Sequence, residues 1–347
     1  MSEVTVVITV YKRMYKKMLC KLTINVSHEK NNMDKKTLLA VSDINVFFGK
    51  QEARGDNDDK NKKREKILEM ILHMDKGFFE DKVYGEKWVL VREKFSAWLD
   101  VTFKGKSENA GKTYDEIKII PKGGRSFNYD FQVVYKKDGI NVDSIEKLEF
   151  KNGKSIESLP QIMQISTENK QFNPLPKCET YAIYYYTNHL AEHVSLLQDN
   201  NVVVPPLSEY LKEVPLVKSK KPFFVKMHDM DVDQEYKSKK NNIVNASITQ
   251  YLEHNAKNMN IDGDAVRTKL TNTQLDKTFL LWDGENFKQH VFTEEDFDLT
   301  GEISVRKGNT IVFPTKKGSA IEFLLRWKNH GGVLNPAWQI SYHATSR

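Results

Sequence analysis

Three alternating runs in the middle of the chain constrain its fold more than any other feature. Ile117–Pro121, Ser126–Lys136 and Ser144–Lys151 interleave apolar and polar residues in the way of strands. A helix predicted over Glu86–Asp100 precedes them, with Trp88, Val91, Phe95 and Trp98 on one stripe. Another, over Thr180–Leu197, follows them with a tyrosine-rich apolar face. With 39% hydrophobic and 11% aromatic residues the chain can build a sizeable core, which excludes disorder as the whole answer. The expectation is a mixed α/β centre.

The ends are expected to be β-rich. Strands are predicted at Thr5–Val10, Lys21–Val26 and Leu38–Phe48, then a charged exposed connection over Gln51–Lys66 leading into a helix at Lys63–Met74. Beyond the centre, Val202–Pro206 and Glu213–Pro222 read as extended, proline-bearing linkers or edges, and Phe223–Met227 as a short strand. Asn242–Ala256 is a predicted helix and Asp262-Gly263 a turn, followed by strands at Phe279–Trp282, Gln289–Phe292, Thr310–Pro314, Ala320–Trp327 and Trp338–His343. A length of 347 residues allows two domains or one elaborated one. The division expected is an N-terminal region 1–84, a core 85–230 and a C-terminal region 231–347.

No stretch approaches the roughly 18 consecutive apolar residues of a membrane span, and no basic segment precedes the strand-like N-terminus. A cytoplasmic protein is expected. Cys20 and Cys178 are too few for a disulfide framework or a thiolate zinc cluster. The net charge of +6 suits a polyanionic partner, though many ordinary enzymes carry as much.

Three patterns imitate functional motifs. Lys106-Ser-Glu-Asn-Ala-Gly-Lys-Thr113 nearly spells a phosphate-binding loop, but Lys106 stands where that loop needs Gly and no helix is predicted to start at Lys112. Asp229-Met-Asp-Val-Asp233 begins like a calcium loop, then has Gln234 where Gly is needed and Lys240 where Glu is needed. His189-Leu-Ala-Glu-His193 matches the inverted zinc-peptidase pattern and would place both imidazoles on one helix face, which makes a zinc metallopeptidase using His189, Glu192 and His193 a competing expectation.

The pattern with the most chemistry lies in the central strands. Asp130 sits among alternating apolar neighbours, and Glu149 and Lys151 are two apart, so they project from one face of a strand while Phe150 turns to the other. If the two strands pair as a hairpin, both carboxylates converge beside a lysine. Two carboxylates repel unless a cation joins them. Mg²⁺, a hard ion taken by one or two carboxylates, water and phosphate oxygens, is the cation expected, with Mn²⁺ able to substitute. A lysine there would neutralise charge building on a phosphorane.

The order helix, strand, Asp strand, Glu-x-Lys strand, helix resembles the PD-(D/E)xK nuclease superfamily, to which many type II restriction endonucleases belong. The resemblance covers roughly Glu86–Met227 and has Tyr129 in place of the usual Pro before the first acid. It implies an α/β (α+β) fold with a central mixed β-sheet flanked by helices and β-rich additions at both ends. It also implies Asp130 and Glu149 as metal-binding acids and Lys151 as the catalytic lysine. Glu93 corresponds to an additional helix acid of some members, and Gln161 to a glutamine near the active site in some relatives. The activity implied is a Mg²⁺-dependent, sequence-specific endonuclease on double-stranded DNA, working as a homodimer; a non-catalytic nucleic-acid-binding module is the alternative.

A sequence-specific nuclease needs phosphate clamps and base-reading groups as separate sets. Arg125 in the Gly-Gly-Arg turn and the basic region Lys218, Lys220, Lys221, Lys237, Lys239 and Lys240 are the phosphate candidates. Arg326, Lys328 and Asn329, next to a glycine pair, are the base-reading candidates, Arg and Asn being shaped for bidentate contacts to guanine and adenine. Trp282, Trp327 and Trp338 are expected in the core.

Overall fold

A computed structural model of the chain describes residues 44–48, 54–72, 86–109, 114, 116–122, 127–199, 201–258, 260–306, 308–327 and 332–344. The strands expected at Thr5–Val10 and Lys21–Val26 lie outside these residues.

Two helices cover one side of the first sheet. α1 (Arg54–Ile71) occupies most of the stretch expected to be a charged loop. Its Lys, Arg and Glu residues are good helix formers, and only its last turns carry an apolar stripe, with Ile67, Leu68 and Ile71 buried. α2 (Glu86–Asn109) buries the expected stripe and continues past it to Phe103. Ile44–Phe47, expected to end a strand, is a 3₁₀ turn. Side chains take its carbonyls: Arg64 Nε donates to Val46 O (2.8 Å) and Trp282 Nε1 to Phe47 O (2.7 Å).

The first sheet contains β1 (Glu116–Pro121), β2 (Phe131–Lys137), β3 (Ile140–Asn152), β5 (Lys277–Trp282) and β6 (Phe287–His290), adjacent in that order. Its pairs are antiparallel except β3 with β5, which run parallel, so the sheet is mixed. Asp138 and Gly139, at φ 50° and 76°, join β2 to β3 in the tight turn that a two-residue hairpin link favours. Phe131, Val133, Tyr135, Leu148, Phe150, Leu280 and Trp282 pack in one cluster with α1 and α2. Phe279 and Leu281 belong to a second, larger cluster. All six residues of β5 are buried, as in a strand covered on both faces.

The second cluster is enclosed by an antiparallel sheet and the remaining helices. β4 (Met163–Ser166), β7 (Ser304–Arg306), β8 (Thr310–Pro314), β9 (Ser319–Trp327) and β10 (Pro336–Ala344) lie in the order β4-β10-β9-β8-β7. The helices are α3 (Tyr181–Asn188), α4 (Leu190–Ser195), α5 (Leu207–Glu213), α6 (Pro222–Asp229), α7 (Gln234–Asn255) and α8 (Gly263–Gln274). Trp327 Nε1 donates to the Tyr181 hydroxyl (3.0 Å), which lies 2.7 Å from Ser247 Oγ, so β9, α3 and α7 share one polar bond line inside an aromatic core. Trp282, Trp327 and Trp338 are all core residues.

Several expectations need correction. Phe223–Met227 is helical: Pro222 takes a first-turn position, and Phe223, Phe224 and Met227 fall on one buried stripe. Asp262 does not make an isolated turn but caps α8, accepting from the Ala265 N–H (2.8 Å). A boundary at residue 230 would cut both sheets, because β5 and β6 complete the first and β4 is an edge strand of the second. The fold is α+β, with a mixed sheet between helices on one side and a second β-rich layer on the other.

Candidate functional site

Asp130 directly precedes β2. Its N–H donates to Leu148 O (3.0 Å) and its carbonyl accepts from the Lys122 N–H (2.8 Å), which extends the ladder by one residue and sets Asp130 beside Glu149. Its Oδ2 accepts from the Phe150 N–H (2.9 Å), so the strand backbone orients the carboxylate. Glu149 Oε1 pairs with Lys151 Nζ at 2.6 Å. The hairpin therefore brings Asp130, Glu149 and Lys151 together, with Phe150 turned into the cluster behind them.

Two further residues join them that no sequence motif marks. Lys277, on β5, donates from Nζ to Glu149 Oε2 and to Asn128 O, the latter at 2.8 Å. Glu65, on α1, is near enough to act electrostatically on Asp130, Lys151 and Glu149. The helix acid at this site is thus Glu65, whereas Glu93 lies on the exposed side of α2. Gln161 is half-buried in the run that leads into β4, the edge of the other sheet.

The ionisation of the group follows from burial and charge. Burial raises the Asp130 pKa and the Glu149 carboxylate adds to it, against the pull of Lys151 and the Phe150 N–H. Burial also raises Glu65, to about 7, with repulsion from Asp130 next in weight. Burial pushes Glu149 the same way, but Lys151 and Lys277 together hold it below the ordinary range. Lys151 is driven down by burial and more strongly up by Glu149 and Asp130, to about 12. Glu149 is the fixed anion, while burial works against a charge on Asp130 and on Glu65.

Hard oxygen donors suit Mg²⁺. Among the described residues no group of three or more His, Cys, Asp or Glu converges on one point, so a metal here would take the two cross-strand carboxylates and complete its shell from water and phosphate. No hydrogen bond reaches Asp130 Oδ1 from the described residues, which leaves that oxygen open to a ligand.

The competing patterns dissolve into structural roles. The helix expected over Thr180–Leu197 is interrupted at His189, where φ is −132°, and both His189 and His193 lie against the Tyr185 ring. His193 is buried with Nδ1 2.9 Å from the Tyr185 hydroxyl and Nε2 2.8 Å from the Tyr236 hydroxyl, so neither nitrogen is open to zinc. Burial lowers its pKa to about 3 and keeps the ring neutral. Asp231 is buried against Lys240 (2.5 Å), and Asp233 caps α7 through the Tyr236 N–H (2.7 Å), which accounts for two acids of the calcium-like run. The phosphate-loop look-alike begins inside the end of α2 rather than at the start of a helix.

Of the DNA-binding candidates, Lys218, Lys220 and Lys221 are exposed on the link between α5 and α6, with Lys221 3.2 Å from Glu209. Lys239 pairs with Glu235 (2.7 Å), and Lys240 is removed from the basic region by its buried pairing. Arg326 is half-buried on β9 and donates to Gln339 Oε1 (2.7 Å). Arg125, Lys328 and Asn329 lie outside the described residues. Beside the acids, Phe127 is exposed and meets Tyr129 edge to face at 5.5 Å, with Lys122 over the Phe127 ring and Lys147 over the Tyr129 ring.

A pocket of about 270 Å³ lies elsewhere, at the start of α8, lined by Asp264, Arg267, Asp298 and Lys316 among others. Arg267 already pairs with Asp298 (3.0 Å), and none of the acids of the mixed sheet reaches the pocket. No helix among the described residues is long and apolar enough to cross a membrane. Compared with models of known protein families and with curated protein sequences, the chain matches none.

Proposed function

We propose that the protein is a Mg²⁺-dependent endonuclease that hydrolyses phosphodiester bonds of double-stranded DNA at specific sequences, as a homodimer. One observation carries this reading: Asp130 and Glu149 stand side by side on paired strands with Lys151 on the Glu149 carboxylate, in a buried group. A cluster of this kind gives little stability by itself, since buried acids repel and lose hydration. It makes chemical sense as a place for a divalent ion and a phosphate.

Asp130 and Glu149 are the ligands in this reading, and the ion when bound supplies charge to the scissile phosphate and a water of lowered pKa. The Phe150 N–H holds the Asp130 carboxylate in position, and Lys151 stands ready to neutralise charge on the phosphorane oxygens. Lys218 and Lys220 offer salt-dependent phosphate contacts. The exposed Phe127 ring and its lysine-flanked neighbour offer a base or sugar an apolar face beside the site. Two chains are proposed because cutting both strands of a two-fold site takes two active sites.

The test is plasmid cleavage with Mg²⁺ or with EDTA, read on a gel. Discrete bands that vanish with EDTA are expected; a smear removes sequence specificity, and intact plasmid removes the nuclease in favour of a binding module. Asp130→Ala and Glu149→Ala should abolish cutting, and Lys151→Ala should slow it by about 10²–10³. Asp138→Asn is the control, because Asn tolerates the positive φ of that turn position where Ala would strain it.

A further inference from the structure

We propose that Lys277 stands in for a second metal ion, so that the site takes one divalent cation and not two; this rests on the reading of Asp130 and Glu149 as metal ligands. The two lysines differ first in access. The Lys277 side chain is 2% exposed, while that of Lys151 is 24% exposed. Lys151 has room to turn from Glu149 towards an arriving phosphate. Lys277 has none: its ammonium is held by Glu149 Oε2 on one side and by Asn128 O (2.8 Å) on the other. Asn128 is itself anchored, donating from Nδ2 to Thr273 O (2.9 Å). A buried ammonium bound at two points is a fixed part of the site, because releasing it would leave an unpaired buried charge.

The occupancy of Glu149 agrees. Both of its carboxylate oxygens already meet an ammonium, Lys151 at Oε1 and Lys277 at Oε2. A second ion would add two positive charges next to an ammonium that cannot leave, on a carboxylate oxygen that the ammonium already holds. Lys277 is therefore a positioning residue: it fixes the Glu149 carboxylate and the backbone before Asp130, and it limits the metal count.

The experiment is Mn²⁺ binding to the full chain without DNA, with free Mn²⁺ counted by electron paramagnetic resonance. Wild type should bind one ion per chain, lost in Asp130→Asn and Glu149→Gln. Lys277→Met, which keeps the side chain's length and removes its charge, should bind two. Lys277→Arg should still bind one, and thermal melting of each variant checks that it is folded. Two ions in wild type, or one ion in folded Lys277→Met, would overturn the proposal while leaving the metal site intact. Should Lys277→Met fail to fold, Lys277→Gln, which also removes the charge, takes its place with the same expected count of two, and a count of one in that folded variant overturns the proposal. Binding that survives both acid substitutions would overturn the metal reading itself, and this inference with it.

Discussion

Glu65 sits in an environment that resists its charge. An unfolded Glu titrates near pH 4.3, whereas burial and the repulsion of Asp130 lift it to about 7 in the folded chain. Between those values the native state holds a proton that the unfolded state has released, so stability falls as pH rises through this window, and the loss is complete above it. Glu65→Gln removes that dependence. Its melting temperature should exceed that of wild type at pH 8, with the gap closing towards pH 5. A gap that stays constant with pH would mean that Glu65 ionises as an exposed carboxylate does.

At this scale the sequence was only partly legible. Glu149 and Lys151 are readable because i and i+2 share a strand face, whereas their place opposite Asp130 depends on a register shift between Val134 and Tyr135 that the tight turn alone does not set. Lys277 is not readable. It lies at the start of a strand 128 positions from Glu149, and parallel pairing across such a distance leaves no local spacing to detect. Glu65 was hidden for a related reason: one charged residue in a run of charged residues carries no periodic signal. Glu93, by contrast, stands on a helix whose apolar stripe is plain in the sequence.

The elements that differ from the sequence expectation depend on tertiary packing. Phe223–Met227 is too short for periodicity to separate strand from helix, and Pro222 as a helix starter was the available clue. Its helix, α6, is pressed by the turn at Gly332, which has φ 58° and donates its N–H to Asp231 Oδ2 (2.8 Å). A Cβ at Gly332 would lie 2.8 Å from His228 N and from Met227 C, which are backbone atoms and cannot swing away. Gly332→Ala should cost about 3 kcal/mol in a urea titration, from the strained φ and the collision together. The link between α5 and α6 makes a separate prediction. Replacing both Lys218 and Lys220 with Ala should flatten the slope of log K against log salt for DNA by roughly 1.8, about 0.9 for each phosphate no longer neutralised. An unchanged slope would make these lysines solubility features.

On the scale of the whole molecule, β5 binds the two apolar clusters to each other. Leu280 and Trp282 enter the cluster of α1 and α2, while Phe279 and Leu281 enter the larger one, so neither cluster is closed without this strand. One cooperative unfolding transition is expected, with tryptophan fluorescence and far-ultraviolet circular dichroism coinciding in urea. Leu280→Ala should lower stability by about 3 kcal/mol by both probes. Two separated transitions would show that the clusters unfold independently.

The same strand sets a timetable for synthesis. When the ribosome has released the Asp130 hairpin, Glu149 has Lys151 but not the ammonium of Lys277, which is encoded 128 residues later. At about 5–20 residues per second that interval lasts roughly 6–25 s. Throughout it the hairpin also lacks β5 as a neighbour, so its acids stand at an open sheet edge. The nascent chain therefore carries this charged cluster unfinished until β5 is made, and a chain that stops before β5 is left with the acids but not the geometry.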